Sequence, residues 1–272
     1  MTNKNAEKIK KLQKQNQENQ QRYAKKREEE EKRAQKLVHQ LVSKIDNDPH
    51  NYHNYYDLAT ILVEGKNYSQ AEELLMKALG IFTKSSEQVK SVLKYGLGNV
   101  YYAAQEYDKA IGTFQQVQDK KVQAEAYVML AQSYMAKGDN KRAMVFALSA
   151  QSEKRDDPEV NQMIGDNLLA LGNFQQAGDF YDLVLKKEPQ NGKTNFNRGI
   201  VAMVDGEKFE PYFKIAKTSD PQYFEKGQQR LKDIEKSLQV NKSKQTKSDD
   251  SVSPQESNVD SKNKHFQGKP EK

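Results

Sequence analysis

The chain is 272 residues long, and its composition argues against one large globular core, because only 35% of its residues are hydrophobic and 30% are charged. Its mean hydropathy of −1.01 is expected either of partial disorder or of a solenoid, in which each unit buries its apolar residues only against its neighbours. The absence of cysteine excludes disulfides, a thiolate nucleophile and cysteine-ligated zinc, and it indicates a reducing compartment.

The net charge of +6 lies mainly at the ends of the chain. Residues 1–45 carry 13 basic and 6 acidic side chains, whereas residues 46–240 carry 24 and 27. A nucleic-acid-binding module would place its basic residues on the folded part, so the charge is weak support for that role here. No apolar run resembles a signal peptide or approaches the ~20 residues of a membrane span, and we therefore expect a cytoplasmic protein without membrane insertion.

The N-terminal segment, residues 1–36, consists almost wholly of Lys, Glu, Gln, Asn and Arg. Pairs such as Glu28/Lys32 suit an exposed helix, but no core can form, so we predict an exposed helix or a disordered tail. Residues 37–48 differ because they carry an apolar stripe, and they are predicted to be an amphipathic helix that docks on the next segment. The stripe comprises Leu37, Val38, Leu41, Val42 and Ile45.

Residues 49–240 contain an internal repeat. An alanine recurs at spacings of 39, 33 and 34 residues, from Ala71 to Ala177, and a large aliphatic residue keeps the same spacings from Leu58 to Ile164. Further apolar positions follow at i+3, i+4 and i+7, which is a helical period. Each unit is broken once by a short turn such as Gly172-Asn173, so each is predicted to be two antiparallel helices.

Three Asp-Pro dipeptides, at Asp48, Asp157 and Asp220, are predicted to mark helix starts, because Asp caps the free N–H groups and Pro fits the first turn. A fifth unit is degenerate, since Pro211 stands where the recurring alanine is expected. An amphipathic capping helix should follow it, with Phe224, Leu231, Ile234 and Leu238 facing the stack. Residues 241–272 are predicted to be a disordered polar tail.

Several columns of the second and fourth units resemble the tetratricopeptide repeat (TPR), and the resemblance extends from Tyr52 to Asn191, about half of the chain. It implies an all-α fold: a right-handed superhelical α-solenoid of TPR helix-turn-helix repeats with a long N-terminal helix and a C-terminal capping helix. The residues that carry it are Leu97, Gly98, Tyr101, Tyr107, Ala110, Phe114, Ile164, Gly165, Gly172, Asn173, Phe174, Ala177, Tyr181 and Pro189.

The resemblance further implies a non-enzymatic scaffold that binds a partner peptide in a concave groove lined by the first helix of each pair. Aromatic and Met side chains there would contact an extended or helical peptide, and Asn and Gln would bond its backbone. Alternatively, Tyr95, Tyr102 and Val128 simply pack between helices. The implied lining is Tyr56, Thr60, Tyr95, Asn99, Tyr102, Val128, Gln132, Met135, Gln162, Asp166, Leu169, Lys193, Phe196 and Asn197.

No catalytic, cofactor or metal site is predicted. The chain has no phosphate-binding loop, dinucleotide-binding turn or nucleophile elbow. His50 and His53 form an H-x-x-H step, but a metal site needs a third ligand, so we interpret them as a polar helix start. Neighbouring carboxylates such as Glu72-Glu73 are interpreted as solvated.

Two other functions stay open. The net +7 of residues 1–45 favours association of the basic N-terminal helix with RNA, the ribosome or another anionic surface. A peptide-sensing transcription regulator would need a DNA-binding helix-turn-helix, and residues 1–45 have too few apolar positions to build one. The sequence does not identify the protein partner.

Overall fold

The computed structural model describes the backbone of residues 2–249, and within that range it describes the side chains of residues 11, 14–30, 32–237 and 239. This part of the chain is all-α, with twelve helices and no strand. The helices are α1 (Thr2–Asn47), α2 (Tyr52–Glu64), α3 (Tyr68–Ile81), α4 (Glu87–Ala103), α5 (Tyr107–Phe114), α6 (Lys120–Ala136), α7 (Asn140–Glu153), α8 (Pro158–Ala170), α9 (Phe174–Lys187), α10 (Gly192–Asp205), α11 (Glu210–Ser219) and α12 (Pro221–Asp249).

Helices α2 to α11 form five antiparallel pairs, which we number as units one to five, and each helix packs on its neighbours in sequence. The first helices of successive units also touch, so they form one inner layer while the second helices form the outer layer. The all-α solenoid predicted from the repeat is therefore confirmed. Within residues 2–249, none of the helices combines the length and the apolar character needed to cross a bilayer.

In units two, four and five, close packing of the two helices depends on a glycine in the first helix and an aromatic ring in the second. Gly165 lies so near the ring of Tyr181 that an added Cβ would stand 2.7 Å from it, and at Gly199 the distance to the ring of Phe213 would be 2.6 Å. An added Cβ at Gly98 would overlap the ring of Phe114 in the same way. These glycines therefore set how closely the two helices of a unit approach.

The turn inside each unit contains one residue in the left-handed backbone region. It is glycine in units three to five, at Gly138, Gly172 and Gly206, but it is Lys66 in unit one and Gln105 in unit two, with φ of 60° and 63°. The common turn geometry keeps all five pairs alike. Two units therefore accept a strained conformation that their side chains disfavour.

Two of the predicted Asp-Pro starts are helix caps, and the third prediction is wrong. Asp157 accepts from the backbone N–H groups of Glu159 and Val160, and Asp220 accepts from that of Tyr223. Asp48 and Pro49 instead lie before α2, whose cap is Asn51. The Asn51 side chain accepts a hydrogen bond from the backbone N–H of His53. Helix α2 therefore begins after Asn51, and His50 and Asn51 belong to the connecting turn.

Helix α1 runs without a break from Thr2 to Asn47, so the segments predicted at residues 1–36 and 37–48 meet within one helix. Its C-terminal part packs on α2, where Leu41 is buried and Ile45 is half-buried. Leu37 and Val42 stay exposed at 40% and 43%, so part of the predicted docking stripe faces solvent. The remainder of α1 carries exposed ion pairs such as Glu28–Lys32 at 2.6 Å.

Helix α12 closes the other end of the stack. Phe224, Leu231 and Ile234 pack against the core of units four and five, as the capping pattern predicts. The side chain of Leu238 and residues 250–272 lie outside the described residues. The backbone stays helical to Asp249, so it includes the first nine residues of the segment that the sequence predicts as a disordered tail.

The tight glycine contacts lead to a stability prediction. Gly98→Ala should lower the free energy of unfolding by about 1–3 kcal/mol, because the new methyl group overpacks against Phe114. Gly112→Ala is the matched control, since Gly112 lies in α5 and nothing stands within 4 Å of its added Cβ; it should stabilise by about 0.5–1 kcal/mol through helix propensity. Chemical denaturation measures both, and equal effects of the two variants would contradict this packing.

Candidate functional site

The inner faces of α4, α6, α8 and α10 surround a cavity of about 500 Å³, which we call the central cavity. It opens where these first helices lie further apart than α2 and α4 do. Six of its residues were predicted from the sequence to face the groove. Its lining is Tyr102, Gln132, Met135, Ala136, Glu159, Gln162, Met163, Asp166 and Lys193.

A second, smaller cavity of about 140 Å³ lies between α2 and α4. Tyr56, Thr60 and Asn99 line it, and these three also belong to the predicted set. The cavity is narrow because Tyr56 packs directly on Gly96, where an added Cβ would stand 3.0 Å from the ring. Nine of the fourteen predicted residues therefore line two cavities along one inner face.

Tyr95 and Val128 are half-buried and line neither cavity. The Tyr95 ring packs 5.8 Å from that of Phe114, and Val128 packs against the core of units three to five. Tyr102 lines the central cavity and also packs 5.6 Å from the ring of Tyr107. The alternative was that these three residues pack between helices. It fits Tyr95 and Val128 better than it fits Tyr102.

The prediction that Leu169, Phe196 and Asn197 are open to a partner is wrong. Their exposed fractions are 6%, 1% and 3%, because α12 covers the inner face of unit five. The Phe196 ring contacts Tyr223 and Phe224 of α12 with centroid distances of 5.5 and 5.7 Å. Leu169 faces a separate cavity of about 380 Å³ beneath α12. The capping pattern in the sequence gave the only hint of this cover.

Asp166 organises the C-terminal end of the central cavity. Its Oδ1 accepts hydrogen bonds from the Tyr181 hydroxyl at 3.0 Å and from Asn197 Nδ2 at 2.8 Å, and its Oδ2 pairs with Lys193 Nζ at 2.7 Å. Burial and the Asp166 charge raise the pKa of Tyr181, so its hydroxyl remains a donor. The carboxylate therefore joins α8, α9 and α10, and its bonding capacity is largely used within the chain.

Lys193 carries its charge in partly buried surroundings. Burial alone would lower the pKa of Lys193, but the Asp166 carboxylate outweighs that effect through its charge and its hydrogen bond, and the pKa is raised. The ammonium group thus remains protonated at neutral pH and is balanced by Asp166. Because the two charges balance, the Asp166–Lys193 pair presents almost no net charge to a ligand in the central cavity.

The sequence did not predict three residues of the central cavity, Ala136, Glu159 and Met163, and Glu159 is the charged one among them. It lies on the first turn of α8, is exposed, lines the central cavity, and makes no ion pair with any described residue. Its spacing of three residues from Gln162 places both on one helix face, and that spacing could have identified it. Asn99 Oδ1 and Glu125 Oε2 are nearby acceptors that are buried and receive no hydrogen bond.

The residues considered for metal binding do not come together. His50 lies in the turn before α2, and His53 lies on its first turn with its ring 4.0 Å from that of Tyr52. Among the side chains that the structure describes, no three His, Asp or Glu are placed to hold a metal ion.

The basic surface of α1 is partly neutralised where its side chains are described. Lys14, Lys26 and Lys32 each form an ion pair with a Glu four positions away. Such exposed pairs contribute little to stability, and they engage three lysines that would otherwise be free to contact an anionic partner. We therefore base the proposed function on the inner face of the solenoid.

Stacked helix pairs whose inner layer of helices carries cavities are characteristic of helical-repeat proteins, a class of scaffolds for protein interactions. Comparison with sequence families assigns the repeats. Two family models described as tetratricopeptide repeat match residues 52–84 and 101–166. These two segments are tetratricopeptide repeats, as the sequence pattern indicates.

Solved structures with the same fold include other proteins of this class. YrrB, described as a TPR protein with an unusual peptide-binding site, is 18% identical with a TM-score of 0.52 over 67% of this chain and 93% of its own. PilF of Pseudomonas aeruginosa is 16% identical with a TM-score of 0.62 over 74% and 91%. At these identities the similarity shows the fold alone. No curated protein matches the chain significantly.

The Asp166 contacts lead to a second prediction. Asp166→Asn should lower the free energy of unfolding by about 1.5–3 kcal/mol, because Lys193 loses its anionic partner and the hydrogen bonds lose their charge. Glu159→Gln in the same cavity should change it by less than about 0.5 kcal/mol, since that carboxylate is exposed and unpaired. Denaturation by urea measures both, and equal stability of Asp166→Asn and the unmodified chain would refute the structural role of Asp166.

Proposed function

We propose that the protein is a non-enzymatic scaffold that binds a segment of a partner polypeptide along the inner face of units one to four and the first turn of α10. The observation that carries the proposal is the central cavity, whose lining combines the side-chain amides of Gln132 and Gln162 with apolar side chains in one recess of about 500 Å³. Recesses of this size and composition are typical of ligand sites. The neighbouring small cavity extends the same surface toward α2.

The amide groups favour a peptide backbone as the ligand. Gln132 makes no hydrogen bond with the described residues and is half-exposed. Gln162 uses its Oε1 to accept from Thr194 at 2.5 Å, which leaves its Nε2 group available as a donor. Side-chain amides of this kind satisfy both the C=O and the N–H groups of an extended chain.

The apolar part of the lining favours side-chain contacts beside those hydrogen bonds. Tyr102, Met135 and Met163 surround the recess, and methionine adapts its shape to different partners. Burial raises the pKa of Tyr102, so its hydroxyl stays protonated and can donate at neutral pH. A ligand of a few residues in such a groove is expected to bind with an affinity on the order of micromolar.

The cover provided by α12 sets the limit of the surface. Because Phe196 and Asn197 are buried beneath α12, a bound segment must end near Lys193 instead of continuing along unit five. The proposed site therefore extends from Thr60 in unit one to Lys193, and the groove is closed at its C-terminal end.

A blocking substitution tests the proposal. Peptides selected from a random dodecapeptide phage library on the unmodified chain should bind Gln132→Tyr at least about tenfold more weakly, since the phenol ring fills the central cavity, a loss of about 1.4 kcal/mol. Gln176→Tyr is the control, because Gln176 is exposed on α9 in the outer layer. Isothermal titration with synthetic peptides measures the affinities.

The control and the blocked variant must both keep the stability of the unmodified chain, which thermal unfolding checks. If the selected peptides bind Gln132→Tyr as tightly as Gln176→Tyr, the inner face is not the binding site and the proposal is wrong.

A further inference from the structure

We propose that the central cavity selects partner segments carrying a basic side chain, arginine above all, which enters beside Glu159. This inference rests on the proposed function and names the chemistry of its ligand. It follows from the balance of charge and of hydrogen-bonding groups in the cavity, which neither the fold nor the repeat pattern determines.

The charge of the cavity is the first step. Three charged side chains line it, and two of them, Asp166 and Lys193, neutralise each other across 2.7 Å. The other carboxylate oxygen of Asp166 accepts hydrogen bonds from the side chains of Tyr181 and Asn197. Glu159 is left as the carboxylate without a cationic partner among the described residues, so the cavity presents one uncompensated negative charge.

The second step is an excess of acceptors in the adjoining part of the groove. Asn99 Oδ1 and Glu125 Oε2 receive no hydrogen bond, although the other oxygen of Glu125 pairs with Lys154 at 2.9 Å. Burial raises the pKa of Tyr95, the Asn99 side chain opposes that rise, and the charges of Glu125 and Glu159 add to it. Asn99 Oδ1 and Glu125 Oε2 are buried, so they add to the negative potential of this part of the groove without bonding a ligand directly, and that potential favours a basic ligand.

The third step concerns shape. A long basic side chain needs apolar contact along its methylene groups and an acceptor at its tip. Tyr102, Met135 and Met163 provide the apolar walls, and Glu159 lies on the same lining. The guanidinium of arginine offers five donors in a planar arrangement that pairs with a carboxylate through two hydrogen bonds and stacks on aromatic rings, which the ammonium of lysine cannot match.

Other ligands fit less well. An acidic side chain would meet Glu159 without a free cation nearby, because Lys193 is already paired. An apolar side chain would fill the recess but would desolvate the Glu159 carboxylate without compensation. A basic side chain is the one that compensates the charge of Glu159 on the cavity lining.

Three peptide pools test the preference. Fluorescein-labelled nonapeptides with arginine, norleucine or glutamate fixed at the centre and randomised residues on both sides are titrated with the 272-residue chain, and anisotropy reports binding. The arginine pool should bind at least about fivefold more tightly than either other pool at ~0.05 M salt, and the difference should shrink at ~0.5 M salt because the charges are screened.

Two substitutions then test whether the carboxylate of Glu159 produces the preference for arginine. Glu159→Gln should weaken binding of the arginine pool by about three- to tenfold, as expected for a partly exposed charge pair, while leaving the norleucine pool unchanged. Glu153→Gln, at an exposed position on the outer helix α7, removes the same charge away from the cavity and should bind like the unmodified chain. Equal binding of all three pools, or equal effects of the two Gln variants, would overturn the preference.

The blocked variant separates this inference from the function on which it rests. If Gln132→Tyr abolishes binding of all pools but the pools do not differ from one another, the groove binds peptides and the preference for arginine is wrong. If Gln132→Tyr leaves every pool bound, the groove itself is not the site and both proposals fail.

Discussion

The close approach of the two helices in each unit is the contact on which the architecture depends. Gly98, Gly165 and Gly199 let an aromatic ring from the second helix lie against the backbone of the first. That contact fixes the distance within a pair, and the turn with one left-handed residue fixes its direction. All five pairs share the turn, and units two, four and five also share the glycine–aromatic contact. The first helices therefore fall into one inner layer, and their remaining faces form a groove.

The groove differs along its length because the first helices are not evenly spaced. Tyr56 packs on Gly96, so units one and two approach closely and leave only a narrow cavity. Between α6, α8 and α10 the larger recess opens, and Asp166 bonded to Tyr181, Asn197 and Lys193 holds its C-terminal wall. Internal pairing of the Asp166 charge leaves Glu159 as the side chain that gives the recess its negative character.

The helix α12 decides where the groove ends. Its aromatic residues lie on Phe196, and Tyr223 donates to Asn197 at 3.5 Å. The stack is thus capped by covering a surface that the earlier units leave exposed. The same helix both stabilises the last unit and shortens the site available to a partner.

The sequence by itself determined the helical units, their number and the turn inside each unit, whereas the inward position of residues such as Gln132 and Gln162 is what the resemblance to the tetratricopeptide repeat implies. The units and their turns are the part that periodicity explains. These follow from local periodicity and from small residues that recur in register, which every unit repeats. Only the tertiary structure decided that Phe196 and Asn197 are covered, that α2 begins at Tyr52 instead of Pro49, and that Glu159 is unpaired. These facts depend on which side chains from distant helices meet in space, and such meetings leave no period in the sequence.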